Sequence, residues 1–331
     1  MNMMTPRMMI LLAGLAAIPA AALAQPGPEG GLATQALVRP DSKSVNTLTL
    51  AAVSLQVDNK NTPITALTPL RPGGAQVALL IDDGLSRGAG IQLSDLRTFA
   101  LTLPPEIELL VGYMENGTVR VEVPFTTDHT EAAAKIRIPM GIPGQSASPY
   151  FCLDEFVKQW PGAETPGDEG AGPVKARFVI MLTNGVDPYN GSTSIMNQDS
   201  PYVAQAAKEA QRAGVEVSSI YYADAGFRGR GSFSGQSYLQ QVADATGGNL
   251  YNEGPISPVS LTPYFKEFVH DLSETYVANF NVDPAAAGRD HLVRVKMNSS
   301  GPKLKLRYPD QVRPGNLESG LPATAQALPP R

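Results

Sequence analysis

Two apolar runs, about a hundred residues apart, each end in a cluster of acidic, amide, hydroxyl and glycine residues. The first, Val77-Ala78-Leu79-Leu80, leads into Ile81-Asp82-Asp83-Gly84-Leu85-Ser86. The second, Phe178-Val179-Ile180-Met181-Leu182, leads into Thr183-Asn184-Gly185-Val186-Asp187. Continuous apolar runs of this length are strands covered on both faces, the kind that parallel sheets require. In open α/β sheets, ligand sites form outside the carboxyl ends of the strands. Both clusters therefore point to one binding edge, without naming its ligand.

Helical stripes separate the strands. Leu96, Phe99, Ala100 and Leu103 recur at helical spacing before Pro104-Pro105 stops the pattern. Leu153, Phe156, Val157 and Trp160 form a second stripe, and Val203, Ala206, Ala207, Ala210 and Ala213 a third, closed by Gly214. Tyr238, Val242 and Ala245 precede Gly247-Gly248, and Phe265, Phe268, Val269, Leu272 and Tyr276 mark a long amphipathic helix. Strands are expected at Ile107–Val111, Val215–Tyr222 and Leu250-Tyr251. This alternation predicts an α/β fold, a doubly wound and mostly parallel sheet with helices on both faces. Asn116-Gly117 is a hairpin turn and makes the neighbouring strands an antiparallel edge pair. Thr127 or Asp128 is suited to cap a short helix that follows.

The flanks read differently. Thr47 to Val57 alternates and turns, and Pro63 to Pro72 is an extended connection. His291–Met297 and Lys303–Tyr308 alternate on either side of Asn298-Ser299-Ser300-Gly301, which predicts a hairpin joining the Thr47–Val57 strand in a small β unit. The expected division is a signal peptide at 1–24, a disordered leader at 25–46, the first flanking strand and connection at 47–72, the main domain at 73–280, the C-terminal hairpin at 281–312 and a disordered tail at 313–331. Arg7, the apolar stretch Met8–Ile18 and Ala22-Leu23-Ala24 have the order of a cleavable export signal, so the mature chain is expected to be secreted or periplasmic. Its removal takes Arg7 and no acidic residue, and the formal charge moves from −5 to −6. That charge argues against nucleic acid and anionic membranes as partners, and no later segment is long and apolar enough for stable membrane insertion. The single cysteine, Cys152, lies in a helical stripe and reads as a buried thiol, so the fold must stand without an internal disulfide.

Taken together, these motifs resemble the von Willebrand factor type A domain, and more narrowly a secreted, VWFA-related family typical of acidobacteria. The likeness covers Leu48 to Pro314. Ile81 to Ser86 stands where such domains carry Asp-x-Ser-x-Ser, Phe125-Thr126-Thr127-Asp128 where they carry a metal-site threonine, and Thr183-Asn184-Gly185-Val186-Asp187 where they carry Thr-Asp-Gly-x-Asp. Ala245-Thr246-Gly247-Gly248, the Asn281-Val282-Asp283-Pro284 exit and Leu304-Lys305-Leu306-Arg307-Tyr308 resemble later landmarks. The resemblance implies a metal-ion-dependent adhesion site for Mg2+, with Asp82, Ser86, Thr126 and Asn184 in the ligand positions. Gly84 stands where a serine ligand is expected and Asn184 where an aspartate is expected, so the implied site is degenerate. Asp83 and Asp187 could compensate or face a partner.

The loop Ala223–Gly231 should leave the same edge, where Arg228 and Arg230 would suit a carboxylate on a partner. Ser86, His129 and Asp82 could be imagined as a hydrolytic trio, but no Gly-x-Ser-x-Gly elbow is present, and neither a phosphate-binding glycine loop nor a Cys/His zinc cluster occurs. The expected function is a non-enzymatic binding or adhesion module for a protein, extracellular or envelope ligand. The alternative is a structural subunit of an envelope or appendage assembly with a vestigial metal site.

Overall fold

The computed structural model describes residues 31–41, 47–141, 148–161, 175–189, 199–223, 233–254, 256–284, 291–300 and 304–316. In chain order the strands and helices are β1 (Leu32–Pro40), β2 (Val53–Val57), β3 (Lys60–Thr62), β4 (Ile64–Pro69), β5 (Ala75–Asp82), α1 (Leu93–Thr102), β6 (Glu108–Glu115), β7 (Thr118–Thr126), α2 (His129–Lys135) and α3 (Pro149–Lys158). They continue with β8 (Ala176–Thr183), α4 (Pro201–Arg212), β9 (Val215–Tyr221), α5 (Phe233–Thr246), β10 (Leu250–Tyr251), α6 (Thr262–Ser273), β11 (Tyr276–Val282), β12 (Val293–Ser299), β13 (Leu306–Arg307) and β14 (Gln311–Val312).

The main sheet runs β10-β9-β8-β5-β6-β7, with every pairing parallel except β6 with β7. The two apolar runs are its central strands, β5 and β8, side by side in register from Ala75 opposite Ala176 to Ile81 opposite Leu182. Strand alternation divides their side chains between two cores. Val77, Leu79 and Ile81 pack with α1, α2 and α6, while Ala78 and Leu80 pack with α3, α4 and α5. Helices therefore cover both faces, the doubly wound α/β architecture. Asn116 and Gly117 take positive φ of 49° and 80° at the β6–β7 turn, as a tight hairpin requires. Asp128 caps α2 by accepting from the Glu131 N–H at 2.9 Å. Cys152 is buried on α3, and burial pushes its thiol up to about 12.

The flanking unit is larger than the sequence suggests. Two four-stranded sheets, β13-β1-β11-β4 and β14-β12-β2-β3, enclose a third core of Ala36, Val38, Leu55, Val57, Phe280 and Val295 among others. Five expectations of the flanks are corrected by these strands. The leader at 25–46 contains β1, paired antiparallel with β11 from Leu32–Val282 to Val38–Tyr276. The connection Pro63–Pro72 contains β4, on the other side of β11. Tyr276 starts β11 and not the end of a helix, since α6 stops at Ser273. The C-terminal hairpin does not form, because β13 pairs with β1 while β12 pairs with β2 and β14, in the other sheet. The expected tail also begins later than residue 313. Asn316 is buried and brackets β1, accepting from the Gln35 N–H at 2.8 Å and donating to the Gln35 carbonyl at 2.9 Å.

β1 was hidden because it serves two cores at once. Ala36 and Val38 face the sandwich core, while Leu37 packs against the α/β core and Gln35 and Arg39 are buried on that same side. A strand covered on both sides by different bodies need not alternate apolar with polar. The signal-peptide segment 1–24 lies outside the described residues, and no described helix is long and apolar enough to cross a membrane.

Candidate functional site

The carboxyl ends of β5 and β8 meet at Asp82 and Thr183. Thr183 Oγ1 donates to Asp82 Oδ2 at 2.7 Å, and Asp82 Oδ1 accepts from the Gly84 N–H at 2.9 Å. Asp82 is only 4% exposed. Thr183 Oγ1 also accepts from the Gly185 N–H, and Asn184 Oδ1 accepts from the Val186 N–H, an Asx turn closing the second cluster. Gly185 holds φ at +65°, and a methyl added there would lie 2.5 Å from the Gly235 carbonyl oxygen. Glycine at 185 thus lets α5 approach the turn.

The other acidic residues face inward. Asp83 Oδ1 accepts from Arg137 at 2.6 Å and from the Met140 N–H at 3.0 Å, and its carbonyl accepts from the Gly141 N–H. Arg137 stacks 3.8 Å over the Tyr113 ring, and the Tyr113 hydroxyl both accepts from the Arg137 N–H and donates to its carbonyl. Burial raises the Tyr113 phenol above its usual value, so it remains a neutral donor. The segment after α2 is clamped on the end of β5 and β6 in this way. Asp187 is fully buried, accepting from the Tyr189 N–H and from Ser200 Oγ, the cap of α4. Tyr150, on α3, donates to the Gly185 carbonyl at 3.0 Å, and burial followed by the charges of Asp187 and Asp82 holds its pKa well above the ordinary value. The expectation that Asp83 and Asp187 present carboxylates to a partner is corrected: both are structural anchors of loops.

Thr126 is also corrected. It pairs with Leu109, at the start of β6, while Asp82 pairs with Met114, at its end. Five residue steps along β6 separate the two pairings, about 16 Å at roughly 3.3 Å per step. The antiparallel run of β7 carries Thr126 to the amino-terminal edge of the sheet, where its hydroxyl accepts from the Asp128 N–H. His129 lies at that same edge, its Nε2 2.8 Å from the Ile107 carbonyl, so Ser86, His129 and Asp82 do not converge. Ser86 follows β5 and caps a 3-10 turn, Arg87–Gln92, by accepting from the Gly88 N–H.

Mg2+ requires an octahedral shell of oxygen ligands. Here Asp82 has both carboxylate oxygens in hydrogen bonds, Gly84 has no side chain, Asn184 closes its own turn and Thr126 is at the opposite edge. Among the described residues, no group of three or more His, Cys, Asp or Glu is placed to hold a metal ion. The described residues therefore do not fit a Mg2+ site. Arg228 and Arg230 lie outside the described residues.

A different feature of this edge carried no motif. Ile91 in the 3-10 turn is 74% exposed, Met140 after α2 64% and Val259 before α6 89%. The segments that bear them touch. Gln92 donates to the carbonyls of Pro258 and Val259 at 3.1 and 3.2 Å, and a methyl added at Gly90 would lie 3.0 Å from Ile138 Cγ2. Asp95 in the first turn of α1 accepts from Ser260 Oγ and from the Leu261 and Thr262 N–H groups. Burial pushes the Asp95 carboxyl up, but these hydrogen bonds win and hold it below its usual value. Across the sheet, Phe151 packs on Tyr189 and Tyr202 with centroids 5.1 and 4.8 Å apart, and Tyr189 is exposed.

The sequence matches no family pattern, and no curated protein matches it. Among solved structures it is similar to an aerotolerance-related membrane protein from Bacteroides fragilis, with 14% identity and a TM-score of 0.39, over 60% of this chain and 98% of that one. It is similar to the Plasmodium vivax TRAP protein, solved with manganese, at 13% identity and a TM-score of 0.38, over 75% of this chain and 98% of that one. The structures to which the chain is similar also include the von Willebrand factor domain of a type V pilus tip protein from Porphyromonas gingivalis, at 10% identity and a TM-score of 0.38, over 62% of this chain and 95% of that one.

Proposed function

We propose that this chain is an exported, non-enzymatic binding module that captures a protein or cell-envelope partner on the carboxyl-end face of its main sheet. The observation that carries this reading is the exposed aliphatic group Ile91, Met140 and Val259, presented by three segments that are hydrogen-bonded to the sheet or to one another. Large apolar side chains held exposed on an anchored surface are a feature of interaction sites. The acidic residues of the face support the loops from beneath, so the contact is apolar in character and does not depend on a dication.

The double substitution Ile91→Asp with Val259→Asp tests this. A partner recovered with the wild-type protein from the envelope fraction of its source should be lost with the variant, while the melting temperature stays within about 1 °C of wild type, since both positions are exposed. Retention of the partner by a folded variant would overturn the reading. The alternative, a structural subunit of an envelope or appendage assembly, draws on the outer edge of β4, which among the described residues pairs only with β11. It expects assembly to survive the double substitution.

A further inference from the structure

β1 joins the sandwich to the α/β layer, and its contact with that layer centres on one buried cation between two carboxylates. Arg39 is 2% exposed; its Nη1 is 3.2 Å from Asp271 on α6, and its Nε is 3.5 Å from Glu216 on β9. Asp271 is well held, accepting also from Asn249 at 2.6 Å and from the Tyr251 hydroxyl at 2.7 Å. The Glu216 contact is poor: Arg39 Nε has no hydrogen-bond partner among the described residues, although the Glu216 side chain is only 7% exposed. Four residues earlier on the same side of β1, Gln35 has a buried Oε1 that likewise has none. Gln35 and Glu216 line a common cavity of about 30 Å3, space for one water molecule.

The one guanidinium in contact cannot fully compensate both the buried Glu216 carboxylate and the Asp271 carboxylate, which is 15% exposed. A protonated Glu216 removes the surplus charge and gains an O–H, which can reach the Gln35 acceptor through a water in the shared cavity. We propose that the Arg39–Glu216–Asp271 cluster is a proton-operated latch on strand β1, closed when Glu216 is protonated and loosened when it ionises. The charged or titratable groups that face Glu216 are Arg39 from β1, Asp271 from α6 and Arg307 from β13, with Asp41 and Tyr251 acting on Arg39 beyond them. Burial, opposed by Arg39 and aided by Asp271, lifts the Glu216 carboxyl to about 7.

The sign follows. A carboxyl whose folded value exceeds its unfolded one stabilises the folded form fully below the unfolded value, and that stability is lost as pH rises through the folded value. The window is therefore about 4.5 to 7. Hydrogen exchange of the full mature chain, corrected for the intrinsic pH dependence of amide exchange, reads the latch directly. Between pH 5.5 and 8, protection of peptides within 32–40 should fall by about tenfold or more relative to peptides from β5. Glu216→Gln should hold the pH 5.5 protection at both values. An unchanged ratio in the wild type, or the same fall in the Gln variant, would overturn the proposal. Should the Gln variant fail to fold, the wild-type ratio of β1 to β5 protection across the same pH range decides it alone.

Discussion

Thr183 Oγ1 donates a 2.7 Å hydrogen bond to Asp82 Oδ2 where β8 and β5 end side by side. The bond joins the two polar clusters of the sequence and leaves neither side chain pointing outward, since Asp82 is 4% exposed and Thr183 fully buried. Thr183→Val keeps the shape and removes one donor to a buried carboxylate. We expect a loss of about 1–3 kcal/mol, measured by urea unfolding. A change below about 0.5 kcal/mol would show that another donor replaces it.

Divalent metal should not stabilise this chain. A ligand at about a hundred times its dissociation constant adds about 2.7 kcal/mol, a visible shift in a thermal melt. With millimolar Mg2+, Mn2+ or a chelator, the expected shift is less than about 1 °C, because Asp82 and Asn184 use their side-chain oxygens on loop donors. A rise of several degrees on adding metal would mean that loops beyond the described residues complete a coordination shell.

The Arg137–Asp83 pair clamps the segment that carries Met140. Its side chains are 21% and 5% exposed, so Arg137→Ala leaves a largely buried carboxylate without its charge partner. The expected cost is about 3 kcal/mol, read by chemical unfolding. Asp83→Asn with Arg137→Met, which removes both charges, should cost clearly less than Arg137→Ala alone. Equal costs would place the effect in the lost Arg137–Tyr113 stacking instead.

Deleting residues 25–40 tests whether this segment is a leader or a structural strand. The deletion uncovers the edge of β11 and removes Ala36 and Val38 from one core and Leu37 from the other. It also leaves Glu216 and Asp271 without Arg39. The truncated chain should be poorly soluble or should lose cooperative unfolding in circular dichroism. A truncated chain with the wild-type melt would contradict the place of β1 in the fold.

The main sheet was legible because its signals are local. The runs Val77–Ile81 and Phe178–Leu182 can be buried on both faces only in a covered sheet, and the helical stripes between them supply that cover. Asn116-Gly117 needs only its own backbone to make a turn, and Asp128 only its own helix to make a cap. The location of the loop face follows from the same signals, since loops after parallel strands share one edge.

The use of each polar residue was decided by tertiary structure. Asp82, Asp83 and Asp187 look alike in sequence, but each turns one oxygen to a donor brought by another segment: Thr183, Arg137 or Ser200. Thr126 sits at the wrong edge because β7 runs antiparallel, and a ligand motif carries no record of strand direction. β1 and β4 escaped notice, and the strand expected at Lys303–Tyr308 was given the wrong partner, because strands at the joint of two cores answer to partners more than two hundred residues away. The sequence by itself determined a doubly wound α/β core and the edge where its loops gather, because burial periodicity is written residue by residue. Only the tertiary structure decided that Asp82, Asp83 and Asp187 are internal supports, that Ile91, Met140 and Val259 are left exposed, and that β1 locks two cores together. Each of those depends on which distant group arrives to satisfy a buried charge or backbone edge.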